Sequence, residues 1–223
     1  MTKHFLLALL LLGLIRTSAQ TRDSSRVINM PEPRISRFIA PAALILSGAY
    51  LVNHTDINMR LQNPYENTVE HKEFHQYADN YIQFLPVIAT GVMNLAGVRA
   101  RNNLRGQTIQ LIKTELILSA LVISTKDIAK VKRPDTGAPT SFPSGHTAEA
   151  FAGATFFMKE YGQGRSWLGP LVYGMAASVG VMRVMNNRHW TSDVLAGAGF
   201  GILSAEVAYL PLFTGRKKHH PVS

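Results

Sequence analysis

Six apolar stretches run along the chain, over 38–52, 82–98, 108–125, 147–158, 167–185 and 193–212, with polar segments between them. None alternates in the two-residue rhythm of a half-buried strand, and most are long enough for helices. The pattern predicts an all-α fold, a six-helix bundle embedded in a membrane. Small residues crowd the last three stretches, among them Gly153, Gly174, Gly180, Ala196, Gly197, Gly199 and Gly201. Such residues let helices approach closely, as membrane bundles require. A compact soluble helical domain is the alternative reading.

The polar segments divide the rest of the chain. Residues 54–81 hold Asp56, Glu66, Glu70, His71, Lys72, Glu73 and His75, with Tyr65, Phe74, Tyr77 and Tyr81 among them. This segment reads as a solvated connecting helix, or else as an amphipathic one on a membrane surface. At the start, Lys3 and His4 precede an apolar run from Phe5 to Ile15, and Thr17-Ser18-Ala19 resembles a cleavage site. Residues 1–19 therefore read as a signal peptide. Residues 20–35, with Pro31 and Pro33, read as a linker, 36–213 as one domain and 214–223 as a basic tail.

Composition sharpens this outline. Charged residues make up 17% of the 223, below the usual quarter of a soluble domain. Mean hydropathy is +0.04, low for a chain made only of membrane spans, which fits apolar helices joined by polar loops. The net charge of +9 points to an anionic membrane surface or an anionic substrate. The cations form no long run interleaved with aromatics, which argues against nucleic acid. With no cysteine, disulfides, Cys-ligated metals and Cys nucleophiles are excluded.

Three short segments carry chemistry: Lys126-x6-Arg133-Pro134, Pro143-Ser144-Gly145-His146, and Arg183-x5-His189-x3-Asp193. The four-residue spacing puts His189 and Asp193 on one helical face. There the carboxylate can take the Nδ1 proton and leave Nε2 free to attack. The Pro-Ser-Gly-His turn precedes an apolar helix that Ser144 can cap, and free N–H groups at a helix start bind anions. His146 at its mouth suits proton transfer. Lys126, Arg133 and Arg183 supply positive charge, the arginines in bidentate geometry. This is the inventory of phosphoryl transfer without a metal. No carboxylate cluster has metal-ligand spacing, so no cofactor is expected.

Together the three segments resemble the signature of the type 2 phosphatidic acid phosphatase (PAP2) and vanadium haloperoxidase superfamily. Order, spacing and placement match over roughly residues 80–212, save that Met182 stands where the signature has serine. The resemblance implies that His189 is a nucleophile, transiently phosphorylated, and that Asp193 orients it. It implies that His146 protonates the leaving group, and that Lys126, Arg133, Arg183, Ser144 and Gly145 hold the phosphoryl oxygens. The implied substrates are lipid phosphates: phosphatidate, phosphatidylglycerophosphate, undecaprenyl pyrophosphate or the phosphates of lipid A, with the last two favoured. No obligate protein partner is evident. A soluble periplasmic acid phosphatase, a vanadium haloperoxidase and a non-enzymatic phospholipid-binding or transport protein are the competing readings.

All three segments fall at one end of the expected bundle, while Arg99, Arg101, Arg105, Lys159, Arg165, Arg216, Lys217 and Lys218 mark the other. The positive-inside rule makes that second end cytoplasmic and turns the site toward the periplasm, from an inner membrane. A cleaved signal followed by three crossings would reverse this. Segment 38–52, short and holding Pro41, is therefore expected to pack on the bundle without spanning.

Overall fold

The computed structural model describes residues 35–68 and 77–210. The expected signal peptide, nearly all of the linker and the basic tail lie outside them, as does the core of the polar segment from Val69 to Gln76. Among the described residues there are eight helices and no strand. They are α1 (Ser36–Asn53), α2 (Thr55–Thr68), α3 (Asp79–Ile82), α4 (Leu85–Leu95), α5 (Leu104–Ala129), α6 (Gly145–Tyr161), α7 (Leu168–Met185) and α8 (Thr191–Ala208). The fold is all-α, as the apolar pattern predicts. Six of the helices answer to the six apolar stretches. The count rises to eight because the polar segment supplies α2 and α3, one of them a single turn.

Helices α6 and α8 form the centre and run side by side, both leaving the same end of the bundle. Their small residues make this possible. A methyl group on Gly197 would come within 2.6 Å of the Ser144 carbonyl oxygen, and one on Gly201 would collide with the Ala148 carbonyl. Ala148, Ala150, Ala152, Ala154, Ala196 and Ala205 are buried between them and their neighbours. Around this spine, Phe157, Tyr161, Val172, Ala176 and Val179 build the α6–α7 core, and Leu118 and Val122 bring in α5. The spine is thus dense because it is made of residues too small to hold backbones apart.

Helix α1 packs antiparallel along α8, with Gly48 against Ser192 and Ala196, and Pro41 and Ile45 against Gly199. It is 18 residues long, about 27 Å, rather than the 15 read from the apolar run. Pro41, its sixth residue, lies inside the helix and removes one backbone hydrogen bond, that to the Arg37 carbonyl. Three helices, α1, α5 and α7, are long and apolar enough to cross a membrane. Leu46 on α1, Ile88 and Val92 on α4, Leu116 and Ile123 on α5, and Leu171 on α7 all point outward. Water would disfavour that surface, and a bilayer would cover it.

The end of the bundle where α1, α5 and α7 finish and α6 and α8 begin gathers the three motifs. The opposite end is closed by a buried carboxylate. Glu160 accepts from the backbone N–H (2.9 Å) and side-chain amide (2.7 Å) of Asn102 and from the Tyr209 hydroxyl.

Candidate active site

The His189–Asp193 pair forms, but not on one helical face. His189 lies in the turn before α8, and Asp193 sits in the first turn of that helix, where its carboxylate also accepts the Trp190 N–H at 2.9 Å. A turn residue and a capping residue thus replace the helix face that the spacing suggested. The turn is shaped by Asn187, which takes a left-handed backbone (φ 51°) that asparagine tolerates. Its end is closed by the N–H groups of Arg188 and His189, both donating to the Arg183 carbonyl.

Asp193 is fully buried and surrounded by donors. Its Oδ2 lies 3.2 Å from His189 Nδ1 and accepts from the Ser141 hydroxyl and the Trp190 N–H. Its Oδ1 accepts from the Ser192 hydroxyl at 3.2 Å. Ser192 is held by Asn58 of α2, whose amide donates to its Oγ at 3.0 Å and accepts its N–H at 3.2 Å. These contacts direct the carboxylate at Nδ1, which sets the tautomer with Nε2 unprotonated. Met182 deprives the motif of its serine, yet the carboxylate has two hydroxyl donors, Ser141 and Ser192.

His189 itself is buried, with 1% of its surface exposed. Burial, opposed by Asp193 and reinforced by Arg183 and Arg133, pushes its pKa down to about 4. The imidazole is therefore a neutral base at pH 7, the form a nitrogen nucleophile needs.

The Pro-Ser-Gly-His segment behaves as its sequence suggests. Ser144 is the N-cap of α6, accepting from Thr147 N–H, and its own N–H donates to the Asp193 carbonyl at 3.0 Å. That last bond ties the start of α6 to the start of α8. A methyl on Gly145 would meet nothing within 4 Å, so open space adjoins the helix start. The first N–H groups of α6 face no intrahelical acceptor, which makes the space beside them attractive to an anion.

Of the three cations, Arg183 is the most enclosed. Its Nη1 donates to buried Asp79 at 2.8 Å, while its Nε is buried with no partner. An unpartnered guanidinium N–H in the interior is costly unless a ligand accepts from it. Arg133 donates from Nε to the Thr140 hydroxyl at 3.2 Å. Burial and then Arg183 lower its pKa from the usual value. Asp135 and Asp193 oppose that shift, and a bound anion would oppose it further. Lys126 is different. Its Nζ donates to the carbonyls of Pro143 (2.6 Å), Thr140 (2.7 Å) and Ser141 (3.4 Å), so its three donors are all engaged by the loop that carries Ser144. In this state it fastens the loop and presents no free donor to a phosphate.

Four participants were not legible in the sequence: Asp79 and Asn80 of α3, Asn58 of α2, and Ser141. Asn80 Oδ1 lies 2.8 Å from His146 Nε2. All except Ser141 belong to the polar segment read as a solvated connection. No spacing in the sequence marks them; Asn58 and Asp79 stand out only in the fold, as buried polar groups. Among the described residues no group of His, Asp and Glu could hold a metal ion.

At one end of the all-helical bundle the structure thus gathers a histidine–carboxylate pair, a second histidine and three cations, the groups that phosphoryl transfer requires. The PAP2 superfamily model matches residues 108–216. Over 139 residues the chain is 40% identical to the lipid A 1-phosphatase of Porphyromonas gingivalis, an alignment covering 61% of this chain and 31% of that protein. The chain spans about a third of the length of the curated relatives it matches. The fold is also that of the crystal structure of a transmembrane PAP2-type phosphatidylglycerolphosphate phosphatase from Bacillus subtilis (TM-score 0.55, 21% identity, covering 76% of this chain and 94% of that one). It is likewise that of LpxE from Aquifex aeolicus (TM-score 0.51, 22% identity, covering 68% and 94%).

Proposed function

We propose that the protein is a phosphatase that hydrolyses a phosphate monoester or pyrophosphate carried by a membrane lipid, through a phosphohistidine intermediate and without a metal. The observation that carries this reading is the buried His189, held by Asp193 near Arg183, Arg133 and the open space at the start of α6. His189 Nε2 attacks phosphorus in line, and the P–O bond to the lipid breaks as His146 gives its proton to the leaving oxygen. Charge then developing on the imidazole is balanced by Asp193. Water, giving its proton to His146, then attacks phosphorus; the new P–O bond forms as the P–N bond breaks, which releases inorganic phosphate and restores His189. Arg183 through Nε, Arg133, and the N–H groups around Gly145 hold the phosphoryl oxygens. Lys126 acts on them through the loop that it fastens.

A lipid phosphate suits the site because it opens at the end of helices whose outer faces are apolar. Within that class, lipid A phosphate and undecaprenyl pyrophosphate are the favoured substrates, supported by the likeness to a lipid A 1-phosphatase. Phosphate release should be measured on lipid A, undecaprenyl pyrophosphate, phosphatidate and a soluble phosphomonoester, with His189→Ala as the blank. Turnover retained by the alanine variant, or activity abolished by EDTA, would refute the mechanism. A preference for the soluble ester would refute the lipid assignment.

The inner membrane is the proposed location, with the site facing the periplasm. The cations of the opposite end, including Arg99, Arg101, Arg105 and Arg165, support this orientation. Residue 36 and the site stand at opposite ends of α1. With α1 crossing, residue 36 is cytoplasmic and the first nineteen residues are not a cleaved export signal. With a cleaved signal, α1 does not cross. The N-terminal residue of the purified protein separates these arrangements. A cysteine placed at Asn102 tests the orientation: labelling only from outside would refute it.

A further inference from the structure

The two histidines of the site have different partners. His189 faces a carboxylate, Asp193, whereas His146 faces a neutral amide, Asn80, with Oδ1 2.8 Å from Nε2. Asn80 reaches His146 because α3 is seated against the bundle. Its neighbour Asp79 is 2% exposed and pairs with Arg183 at 2.8 Å, and Gln83 closes the turn by donating to the Asn80 carbonyl at 2.8 Å. From the polar segment between α1 and α4, one helical turn thus touches both the central cation and the second histidine. None of these residues belongs to the three motifs.

We propose that Asn80 is a positioning residue that fixes the orientation of His146 and, being uncharged, keeps it a strong acid, with Asp79 anchoring α3 on Arg183 so that Asn80 is in place. The inference rests on the phosphatase reading above. A carboxylate partner stabilises imidazolium and so makes a histidine a better base and nucleophile, which is the need of His189. A proton donor to a leaving alkoxide needs the opposite, a partner that orients without stabilising the charge. The amide does this.

The groups acting on His146 agree with the assignment. Burial comes first, then Arg183 of α7, Asp79 of α3, His189 of the turn before α8 and Arg133 of the loop after α5. Their balance pulls His146 down to about 4, with only Asp79 opposing. An arriving phosphate dianion supplies the negative charge that permits protonation, so the acid is armed only when substrate is present.

The test is Asn80→Asp, which keeps shape and adds a charge. Histidine-labelled protein in detergent is titrated by NMR, with the His146 ring resonance identified by its loss in His146→Gln. The expected result is a His146 pKa raised by about one to three units, as a carboxylate neighbour produces. The alkaline limb of the kcat profile for phosphate release should move up with it, and the maximal kcat should fall about tenfold as the acid weakens. An unmoved His146 titration overturns the proposal. The NMR readout needs no turnover, so it decides the role of Asn80 even if no substrate is hydrolysed, an outcome that would count against the phosphatase reading alone. Asn80→Ala is the second variant. It should lower kcat ten- to a hundredfold with KM changed less than threefold, and wild-type kcat would overturn the proposal independently.

Discussion

Replacing Asp193 with asparagine keeps the size of the side chain and reverses half of its hydrogen bonding. In the native site one oxygen accepts from Ser141, the Trp190 N–H and His189, and the other from Ser192. An amide must turn a donor toward one of these sets. If the oxygen stays on Trp190 and His189, the charge is lost; if the NH2 group faces His189, the imidazole tautomer reverses and Nε2 carries the proton. Under the proposed mechanism, imidazolium character developing in the attack is in either case no longer neutralised. One charge 3.2 Å away is worth about 5 kcal/mol at an effective dielectric near 20. At about 1.4 kcal/mol per decade, that corresponds to a fall in kcat of roughly 10³- to 10⁴-fold. The assay is release of inorganic phosphate from a detergent-dispersed lipid phosphate, with the variant's fold checked by its circular dichroism and elution volume. Because the pair acts as a unit, His189→Ala should lose no more when Asp193→Asn is added. A folded Asp193→Asn variant within tenfold of wild type would refute the assignment of His189 as nucleophile and Asp193 as its partner.

Other outcomes follow from the same geometry. Lys126→Met should lower kcat about 10²- to 10³-fold and Lys126→Arg should not restore it, because a planar guanidinium cannot meet three carbonyls converging on one nitrogen; steady-state kinetics of the two variants check this. Gly201→Ala should destabilise by about 2–3 kcal/mol in a detergent unfolding titration, since the methyl meets backbone that cannot turn aside. Gly145→Ala should do the reverse, lowering kcat/KM at least tenfold by occupying the anion space while leaving stability unreduced. Stability should fall as pH drops from about 6.5 to about 4. In that window the unfolded chain binds protons on His146 and His189 that the folded chain, with both pKa values near 4, does not. Thermal melts across that range measure it, and a midpoint independent of pH would contradict the burial of neutral histidines.

How much of this was legible before folding depends on the range of each interaction. Helices follow from local backbone hydrogen bonds and side-chain periodicity, so the six apolar stretches predicted α1, α4, α5, α6, α7 and α8 to within a few residues at most ends. The chemical inventory was legible too, because the three motifs are short and their spacings are fixed. Ser144 was readable as a cap, and its role is local. The His189–Asp193 pair was readable as a pair but not as a turn joined to a helix start, since a four-residue spacing is compatible with both.

The tertiary structure alone decided how the site is supported and divided. Asn80, Asp79 and Asn58 lie 66, 104 and 134 positions from the side chains they hold, and no spacing rule links residues so far apart. A polar segment reads as solvated because polarity ordinarily means exposure, and only packing reveals that some of its groups are buried with partners. Lys126 looked like a phosphate ligand from its charge, yet the direction of its ammonium depends on where the carbonyls of 140–143 fall. The sequence by itself determined which groups are present and on which helices. The fold determined which of them face one another, because contact between distant residues is a property of packing and not of order along the chain.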